Sequence, residues 1–294
     1  MPAAGTIPAP GSAILYMSVE HYENFPVASW LCPARLRPPI TAIYWFARVA
    51  DDMADEGTAP QAQRRAELAD YRAELARVAA GGTAGPRWAA IFNPLAAAIR
   101  EHGLPVRLLD DLIDAFMQDT ANPLYPDRQT LLAYCRRSAD PIGRLLLHLY
   151  GIRNERALAR SDAICSALQL INFWQDLSVD LPRGRCYVPQ SDASRHGLQA
   201  GDLRAGSPTQ AERSLVRDLC QWAADLMREG APLARELPGR IGWELRLVVQ
   251  GGLRILEKIA EMDHATLSQR PVLSRRDAPR LLWRALFAMP GGAR

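Results

Sequence analysis

Long hydrophobic runs are missing from this sequence of 294 residues. A helix that crosses a membrane needs about 18–20 consecutive apolar residues, and no stretch of the chain reaches that length. The amino terminus, MPAAGTIPAPGSAILYM, also lacks the basic region and sustained apolar core of a secretory signal. We therefore expect a cytoplasmic protein whose contact with a membrane, if any, is peripheral and at the inner face.

A strong net charge and paired cysteines are also missing. The formal net charge is +3, and Arg, the dominant basic residue, is scattered without a block of like charge. This balance gives no reason to expect a nucleic-acid partner. The five cysteines form no CxxC pair and no zinc-finger spacing. An odd number of cysteines without a signal peptide is typical of free thiols in a reducing compartment.

Signatures of nucleotide and zinc chemistry are absent as well: the chain has no P-loop, no GxGxxG after a strand and no HExxH. Strand-like alternation is hard to find, whereas Ala, Leu, Arg and Glu fill long helix-forming segments. We predict one all-α domain over residues 1–294, with about the first 15 residues as a mobile tail. The stretch 181–208, rich in Gly and Pro, is predicted to be a loop. The predicted helices lie near 40–56, 60–80, 86–102, 105–121, 127–150, 155–180, 209–231, 240–263 and 277–289.

An unusual concentration of acid lies in FARVADDMADEG, within the first predicted helix. At 100° per residue, a first polar stripe of Tyr44, Arg48, Asp51 and Asp55 spans roughly 60°, and apolar side chains cover most of the remaining surface. Two carboxylates about 6 Å apart repel by roughly 3 kcal/mol at an effective dielectric of 20. A cation between them would remove that cost, and Mg²⁺ prefers such oxygen ligands together with substrate phosphates. An exposed helix end with an acidic cap is the alternative.

A second polar stripe lies in QLINFWQDLSVD. Its members, Gln169, Asn172, Asp176 and Asp180, fall within roughly 80° on the predicted helix 155–180, while Gln175 projects well off the stripe. Three oxygen ligands on successive turns suit a divalent metal. An ordinary amphipathic helix with a wet edge is the alternative, but two such stripes suggest the walls of one cavity.

A third acidic segment, DDLID, has the letter spacing of DDMAD but a different orientation. Asp110, Asp111, Asp114 and Gln118 point away from the apolar face of their helix, so we interpret them as a solvated face. Asp119 projects on the apolar side and is a candidate to support the site from behind, or an ordinary hydrogen-bonded core group.

Cations that could grip an anion accompany the two stripes. Arg48 lies on the first stripe, Arg183 and Arg185 follow the second, and Arg270 follows the helix at 240–263. Guanidinium groups pair naturally with phosphate oxygens. The basic, amphipathic segment RLLWRALFAM near the carboxyl terminus is expected to pack on the body of the protein, with a loose membrane-surface contact as the alternative.

Taken together, the motifs HYENFPVAS, AIYWFARVADDMAD, YCRRSADPIG, QLINFWQDLSVD, RGRCYVP and SQRPVLS resemble the squalene/phytoene synthase family, and they span nearly the whole chain. The resemblance implies an isoprenoid-synthase helical bundle in which two aspartate-rich helices face each other across a central cavity. It also implies an enzyme that acts on a prenyl diphosphate and uses Mg²⁺, with more than one ion expected.

The resemblance implies roles for individual residues. The expected metal ligands are Asp51, Asp52, Asp55, Asn172, Asp176 and Asp180. Tyr44, Arg48, Gln169, Tyr187 and Arg270 match positions that in the family line the cavity or hold diphosphate. We expect the catalytic set to be Asp51, Asp55, Asp176, Asp180, Tyr44 and Tyr187. We expect the substrate-binding set to be Arg48, Gln169, Asn172, Arg185, Arg270 and Phe25.

Two departures from the commoner family pattern indicate a branch. Gln175 stands where many members have Arg, and Ser138, Ala139 and Asp140 stand where they read Val-Ala-Gly. With ENFPVAS, these resemble the hydroxysqualene synthase branch of bacterial hopanoid pathways. That branch implies a carbon–oxygen lyase that converts presqualene diphosphate and water to hydroxysqualene and diphosphate without NADPH. Its pathway neighbours would be a presqualene diphosphate synthase and a flavin-dependent enzyme that forms squalene.

Two other functions stay open from the sequence. One is a head-to-head farnesyl diphosphate farnesyltransferase that makes presqualene diphosphate or squalene. The other is a non-catalytic isoprenoid-binding protein, which would not require two intact acidic stripes.

Overall fold

Helices build the whole architecture of the part of the chain that the computed structural model describes, residues 32–55 and 57–290; no strand occurs within these ranges. The fold class is therefore all-α, as predicted. The longer helices are α1 (Arg37–Asp55), α2 (Gln61–Ala79), α3 (Ala89–His102), α4 (Val106–Asp119), α5 (Arg128–Ser138), α6 (Asp140–Leu149), α7 (Glu155–Gln175), α10 (Gln210–Gly230), α12 (Gly239–Glu261) and α13 (Ala278–Phe287). Three short ones are α8 (Leu177–Asp180), α9 (Gln190–Arg195) and α11 (Leu233–Glu236).

Local capping explains several helix boundaries. The Asp127 side chain accepts a hydrogen bond from the backbone N–H of Thr130 at the start of α5, and Asn154 caps α7 in the same way. A reciprocal capping box between Thr209 and Glu212 begins α10. The carboxyl end of α3 is followed by Gly103, whose φ of 60° is the left-handed conformation that glycine adopts readily.

Two predicted helices are each divided in the structure. The predicted helix 127–150 breaks at Ala139, because Pro141 has no N–H for the helical ladder and its ring would clash with the carbonyl four residues back. The predicted helix 155–180 breaks at Asp176, whose φ and ψ are −100° and 12°. Just beyond this break, the N–H of Ser178 donates to the carbonyl of Thr266 instead of continuing α7. The predicted loop 181–208 contains α9 and two 3₁₀ turns.

The helices pack around two buried apolar clusters. The first joins α1 to α4 and includes the stacked rings of Phe46 and Tyr71, 5.2 Å apart. The second surrounds α7, which packs against α6, α10 and α12. Gly230 permits the close approach of α10, since a Cβ there would lie 2.6 Å from the carbonyl oxygen of Arg160 on α7. The polar stripes of α1 and α7 therefore belong to helices whose other faces are fixed in the core.

None of the helices in the described ranges is both long and apolar enough to cross a bilayer. The predicted amino-terminal tail lies outside the described residues, and one domain over the entire chain stays a prediction.

Candidate active site

Both polar stripes contribute to one cavity of about 240 Å³. Tyr44, Arg48 and Asp51 line it from α1, and Gln169 lines it from α7. The remaining lining comes from α1, α4, α5, α6, α7 and the break between α5 and α6: Ala47, Phe116, Ser138, Ala139, Ile142, Cys165 and Leu168. The structure thus brings together residues of α1 and α7 that are more than a hundred positions apart in the sequence.

An apolar chamber continues from this cavity. The two share Ile142, Cys165 and Leu168 as common walls. The chamber encloses about 110 Å³ and extends between α6, α7, α11 and α12, where its lining is mostly aliphatic. A ligand in this space would have a polar end beside Arg48 and Asp51 and an apolar end among leucine and isoleucine side chains.

A polar cleft of about 550 Å³ lies at the carboxyl end of α1. Asp55 faces it together with Arg64, Asn122, Arg183 and Arg185. Three arginines in one cleft form a strongly cationic surface, which suits an anion. Asp51 of the cavity and Asp55 of the cleft are one helical turn apart, so both spaces border the same acidic face of α1.

Each of three predicted arginines is paired with a predicted aspartate. Arg185 Nη1 lies 2.7 Å from Asp55 Oδ2, and Arg48 Nη2 lies 2.6 Å from Asp52 Oδ1. Arg270 donates to Asp176, which also accepts from the Asn172 amide at 2.7 Å. The Arg48 pair lies within α1, whereas the Arg185 and Arg270 pairs join segments far apart in the chain.

Asp51 on the first stripe and Asp180 on the second have raised pKa values, so their charged forms are destabilised. Burial, then repulsion from Asp55, raises the pKa of Asp51 to about 7, although 40% of its side chain remains accessible within the cavity. Burial and the charge of Asp176 raise the pKa of Asp180 to about 6, with a further contribution from Asp55. Electrostatic influence therefore passes between the stripes, and the nearby arginines do not fully offset it.

Asp119 adds another carboxyl group behind the first stripe. It is only 8% exposed, and its Oδ2 accepts a hydrogen bond from the Tyr134 hydroxyl at 2.8 Å. Its Oδ1 is buried and has no hydrogen-bond partner among the described residues. Burial, together with repulsion from Asp55 and Asp51, raises the pKa of Asp119 well above its usual value.

The sequence model of the squalene/phytoene synthase family matches residues 19–277. The chain belongs to the squalene/phytoene synthase family. A hydroxysqualene synthase from Rhodopseudomonas palustris is 33% identical over 250 residues, covering 84% of this chain and 82% of the relative. A presqualene diphosphate synthase from the same organism is 30% identical, covering 74% of this chain and 76% of the relative.

Among solved structures, the squalene synthase HpnC from Alicyclobacillus acidocaldarius is 36% identical, with a TM-score of 0.75. The match covers 83% of this chain and 90% of that one. The fold is thus that of an isoprenoid synthase, and the protein is an enzyme of a family that acts on prenyl diphosphates.

The donor set of the site fits the divalent metal that this family generally uses. Crowded carboxylates with raised pKa values gain from a cation between them, and the unpartnered Asp119 Oδ1 is a further oxygen with no compensating contact. Within 32–55 and 57–290, no three His, Cys, Asp or Glu side chains are grouped closely enough to hold a metal by themselves. Mg²⁺ sites often use only one or two protein carboxylates and complete the shell with water and substrate phosphate.

The predicted residue Tyr187 belongs to an aromatic group whose other members, Phe173, Tyr125 and Tyr134, were not predicted from the sequence. Tyr187 stacks on Phe173 with ring centroids 3.7 Å apart, and Tyr125 and Tyr134 complete the group. Helical geometry contains a signal for Phe173, which lies about 40° from Gln169 at the edge of the second stripe. Tyr187 lies in this aromatic group and not in the lining of the 240 Å³ cavity, whereas Phe25 lies outside the described residues.

The residues that depart from the common family pattern have defined environments. Gln175 is buried, off the polar stripe, and its side-chain N–H donates to the carbonyl of Pro271 at 2.7 Å. The Ser138 hydroxyl oxygen is buried on the cavity wall without a hydrogen-bond partner among the described residues. Asp140 is 3% exposed and accepts from Ser166 at 2.9 Å; burial and nearby Asp162 raise its pKa to about 7.

One part of the DDLID interpretation is wrong. Asp110 and Asp114 are partly exposed and pair with Arg72 of α2, away from the cavity. Gln118, however, is half-buried and contacts neighbouring segments: its amide donates to the Tyr125 hydroxyl at 3.1 Å and its carbonyl accepts from Arg137. The helix is wrapped by its neighbours at this end, which the letter pattern alone does not reveal.

Proposed function

We propose that this enzyme is a hydroxysqualene synthase, which converts presqualene diphosphate and water to hydroxysqualene and diphosphate. The observation that carries the proposal is a cavity with Arg48 and Asp51 at one end and an aliphatic chamber at the other. That arrangement suits a lipid with an anionic head. Similarity to hydroxysqualene synthases, with the departures at Gln175 and Ser138, supports the choice of branch.

The first chemical step is loss of diphosphate. The carbon–oxygen bond breaks so that the electron pair leaves with the diphosphate and a cyclopropylcarbinyl cation remains. Arg48, Arg185 and Arg270 bind the leaving group, exchanging their present aspartate partners for phosphate oxygens. This exchange releases Asp52, Asp55 and Asp176, so that the acids and arginines act as one set.

The chemistry that bound magnesium would supply is neutralisation of the negative charge that grows on the departing diphosphate. The residues proposed to hold it are the carboxylates and amide of both stripes: Asp51, Asp52, Asp55, Asn172, Asp176 and Asp180. Their raised pKa values at Asp51 and Asp180 fit that role, because binding a cation favours the charged carboxylate. Each group would then be ionised when the substrate binds.

The remaining steps depend on controlled access of water. The aliphatic chamber excludes solvent from the rearranging cation, and the Tyr44 ring on the cavity wall can face positive charge. The unpartnered Ser138 hydroxyl orients a single water molecule, whose oxygen bonds to the cation. The proton that this water loses is accepted by the diphosphate. No hydride donor is required, so the proposal includes no NADPH.

A second candidate is the head-to-head coupling of two farnesyl diphosphates to presqualene diphosphate or squalene. The 30% identity to a presqualene diphosphate synthase favours it. Under our proposal that coupling belongs to a separate enzyme, and a flavin enzyme removes the hydroxyl group afterwards. A non-catalytic isoprenoid-binding role would leave the pairing of both acidic stripes with arginines without a purpose.

Substrate incubation distinguishes these functions. Purified protein with Mg²⁺ is given farnesyl diphosphate and presqualene diphosphate in separate reactions, and products are identified by gas chromatography and mass spectrometry. We expect only presqualene diphosphate to be consumed, and ¹⁸O from labelled water to appear in the alcohol. Consumption of farnesyl diphosphate alone would establish the second candidate. Consumption of neither, with tight lipid binding, would establish the non-catalytic role.

A further inference from the structure

Exposed apolar side chains are concentrated near the carboxyl terminus. The part of the chain that the structure describes has nine exposed large hydrophobic residues, and six of them fall between positions 272 and 287. Five of these six are more than half accessible, and Phe287 reaches 70%. We call this group the carboxyl-terminal patch: Val272, Leu273, Leu282, Trp283, Leu286 and Phe287.

The geometry of α13 presents the patch outward. At 100° per residue, its four patch residues span about 140° of the helix surface. The inner side is fixed by buried Ala285 and by an ion pair between Arg284 and Glu257 of α12. The rings of Trp283 and Phe287 lie 6.0 Å apart on the outward face. The helix is therefore docked on the protein by one side while its apolar side faces solvent.

The charge around the patch is positive. Arg275, Arg276 and Arg280 are exposed, and Arg280 also pairs with Glu257 at 3.1 Å. Between positions 272 and 290 the single acidic residue is Asp277, which is 5% exposed because Arg254 and Lys258 cover it. The segment 272–290 thus combines exposed arginine, tryptophan and aliphatic groups and has no exposed carboxylate of its own, while Glu257 of neighbouring α12 pairs with Arg280 and Arg284.

We propose that the carboxyl-terminal patch docks this enzyme on the surface of an anionic lipid bilayer. An apolar helix face bordered by basic residues enters the boundary between headgroups and acyl chains, and the basic residues pair with anionic headgroups. A second copy of the chain fits less well, because two such faces would bring exposed arginines of like charge together. The inference does not depend on which prenyl diphosphate is the substrate.

The patch is also continuous with the site. Arg270, which pairs with Asp176, and Pro271, which accepts from Gln175, directly precede Val272. Docking would therefore hold the segment that carries Arg270 against the lipid surface. An enzyme that handles a lipid substrate gains from this, because substrate and product stay in the bilayer between turnovers.

Vesicle flotation of the full-length protein tests the proposal. We expect wild type to float with phosphatidylcholine vesicles that contain phosphatidylglycerol, and to float far less with phosphatidylcholine alone or at high salt. Replacing both Trp283 and Phe287 with Glu should lower partitioning on the order of 10-fold or more. Equal flotation of this variant and wild type would overturn the proposal.

A matched pair of single variants separates the patch from general surface hydrophobicity. Leu282 and Leu124 are both 55% exposed, but Leu124 lies between α4 and α5, outside the patch. Leu282→Glu should weaken flotation several-fold and Leu124→Glu should not, with circular dichroism confirming that both are folded. Equal weakening by the two would contradict the assignment to the patch.

Two further measurements test the chosen partner. Replacing Arg275 and Arg276 with Gln should reduce the preference for phosphatidylglycerol while binding through apolar residues persists; an unchanged preference would refute the role of charge. Light scattering of the protein without lipid should show the same mass for wild type and Leu282→Glu. If wild type were a dimer and Leu282→Glu a monomer, the patch would bind a second copy of the chain instead.

Discussion

Asp277 and the aspartates of the candidate active site are all partly or fully buried, but their pKa values shift in opposite directions. Asp277 accepts hydrogen bonds from Arg254 and from Ser274, with Lys258 close by, and these contacts hold its pKa below the usual value despite burial. Asp51 and Asp180 have pKa values raised to about 7 and about 6. The same side chain is stabilised as an ion in one place and destabilised in the other.

The difference lies in how completely each charge is compensated. Asp277 joins α12 to the start of α13, and donors lie on both of its carboxylate oxygens, Arg254 on Oδ1 and Ser274 and Lys258 on Oδ2, so it serves stability. At the site, acids are crowded together, because the charge of Asp55 raises the pKa of both Asp51 and Asp180. A protein tolerates such an arrangement where a ligand completes it. The unliganded fold is then less stable than it could be, and this lost stability is the cost of binding the ligand.

The largest expected effect is on turnover when a site carboxylate is neutralised. Asp51→Asn should lower kcat/KM on the order of 10³-fold, because a preorganised group that stabilises the leaving charge is lost. Its Tm should not fall, since repulsion with Asp55 is also removed. Steady-state kinetics and calorimetry measure the two effects. Asp70→Asn, on the exposed side of α2, is the control; full activity in Asp51→Asn would refute the site.

The next largest effect is on stability. Asp277→Asn should lower the free energy of unfolding by about 1.5–3 kcal/mol, because Arg254 and Lys258 lose the carboxylate between them although Arg254 keeps Glu257 and Glu261. Chemical denaturation measures the change, and the folded variant should still turn over substrate. A loss below about 1 kcal/mol would show that the group is not the stability element we infer.

The pH dependence of stability should differ between the two groups in metal-free protein. The lowered pKa of Asp277 adds stability above pH ~4, the unfolded value, and this contribution disappears as the pH falls further. The raised pKa of Asp51 has the opposite sign: wild type should lose stability as the pH rises from ~4 to about 7. In thermal unfolding, the stability difference between wild type and Asp277→Asn should shrink as the pH falls below ~4, whereas Asp51→Asn should gain stability relative to wild type as the pH rises from ~4 to about 7. A pH-independent difference for either variant would contradict the comparison.

The smallest effect concerns the product. Ser138→Ala should reduce the fraction of hydroxylated product by a factor of about 2–10, as expected for one lost hydrogen bond to water, while substrate consumption continues. Ser138→Thr, which keeps the hydroxyl, should retain the wild-type fraction. An unchanged product ratio in Ser138→Ala would exclude a role for this hydroxyl in water capture.

The sequence predicts the all-α fold, the family and the direction in which the first stripe points, because the spacing of residues in a regular helix determines the direction of their side chains. The second stripe shows where this reasoning fails. Its helix breaks at Asp176, where Asn172 and Arg270 hold the side chain, and no local rule indicates a partner 94 residues away. The same applies to the aromatic stack of Phe173 and Tyr187 and to the pairing of Arg185 with Asp55. The roles assigned to these residues stay predictions.

The arginine–aspartate pairs have a consequence for the end of the catalytic cycle. When an arginine releases diphosphate, an internal carboxylate replaces diphosphate as its partner, so the guanidinium is not left in solvent or in an empty pocket. Product inhibition should therefore be mild for a site with this much positive charge. The aspartates of the resting protein compete with diphosphate for these arginines. This competition removes the product and leaves the site ready for the next lipid.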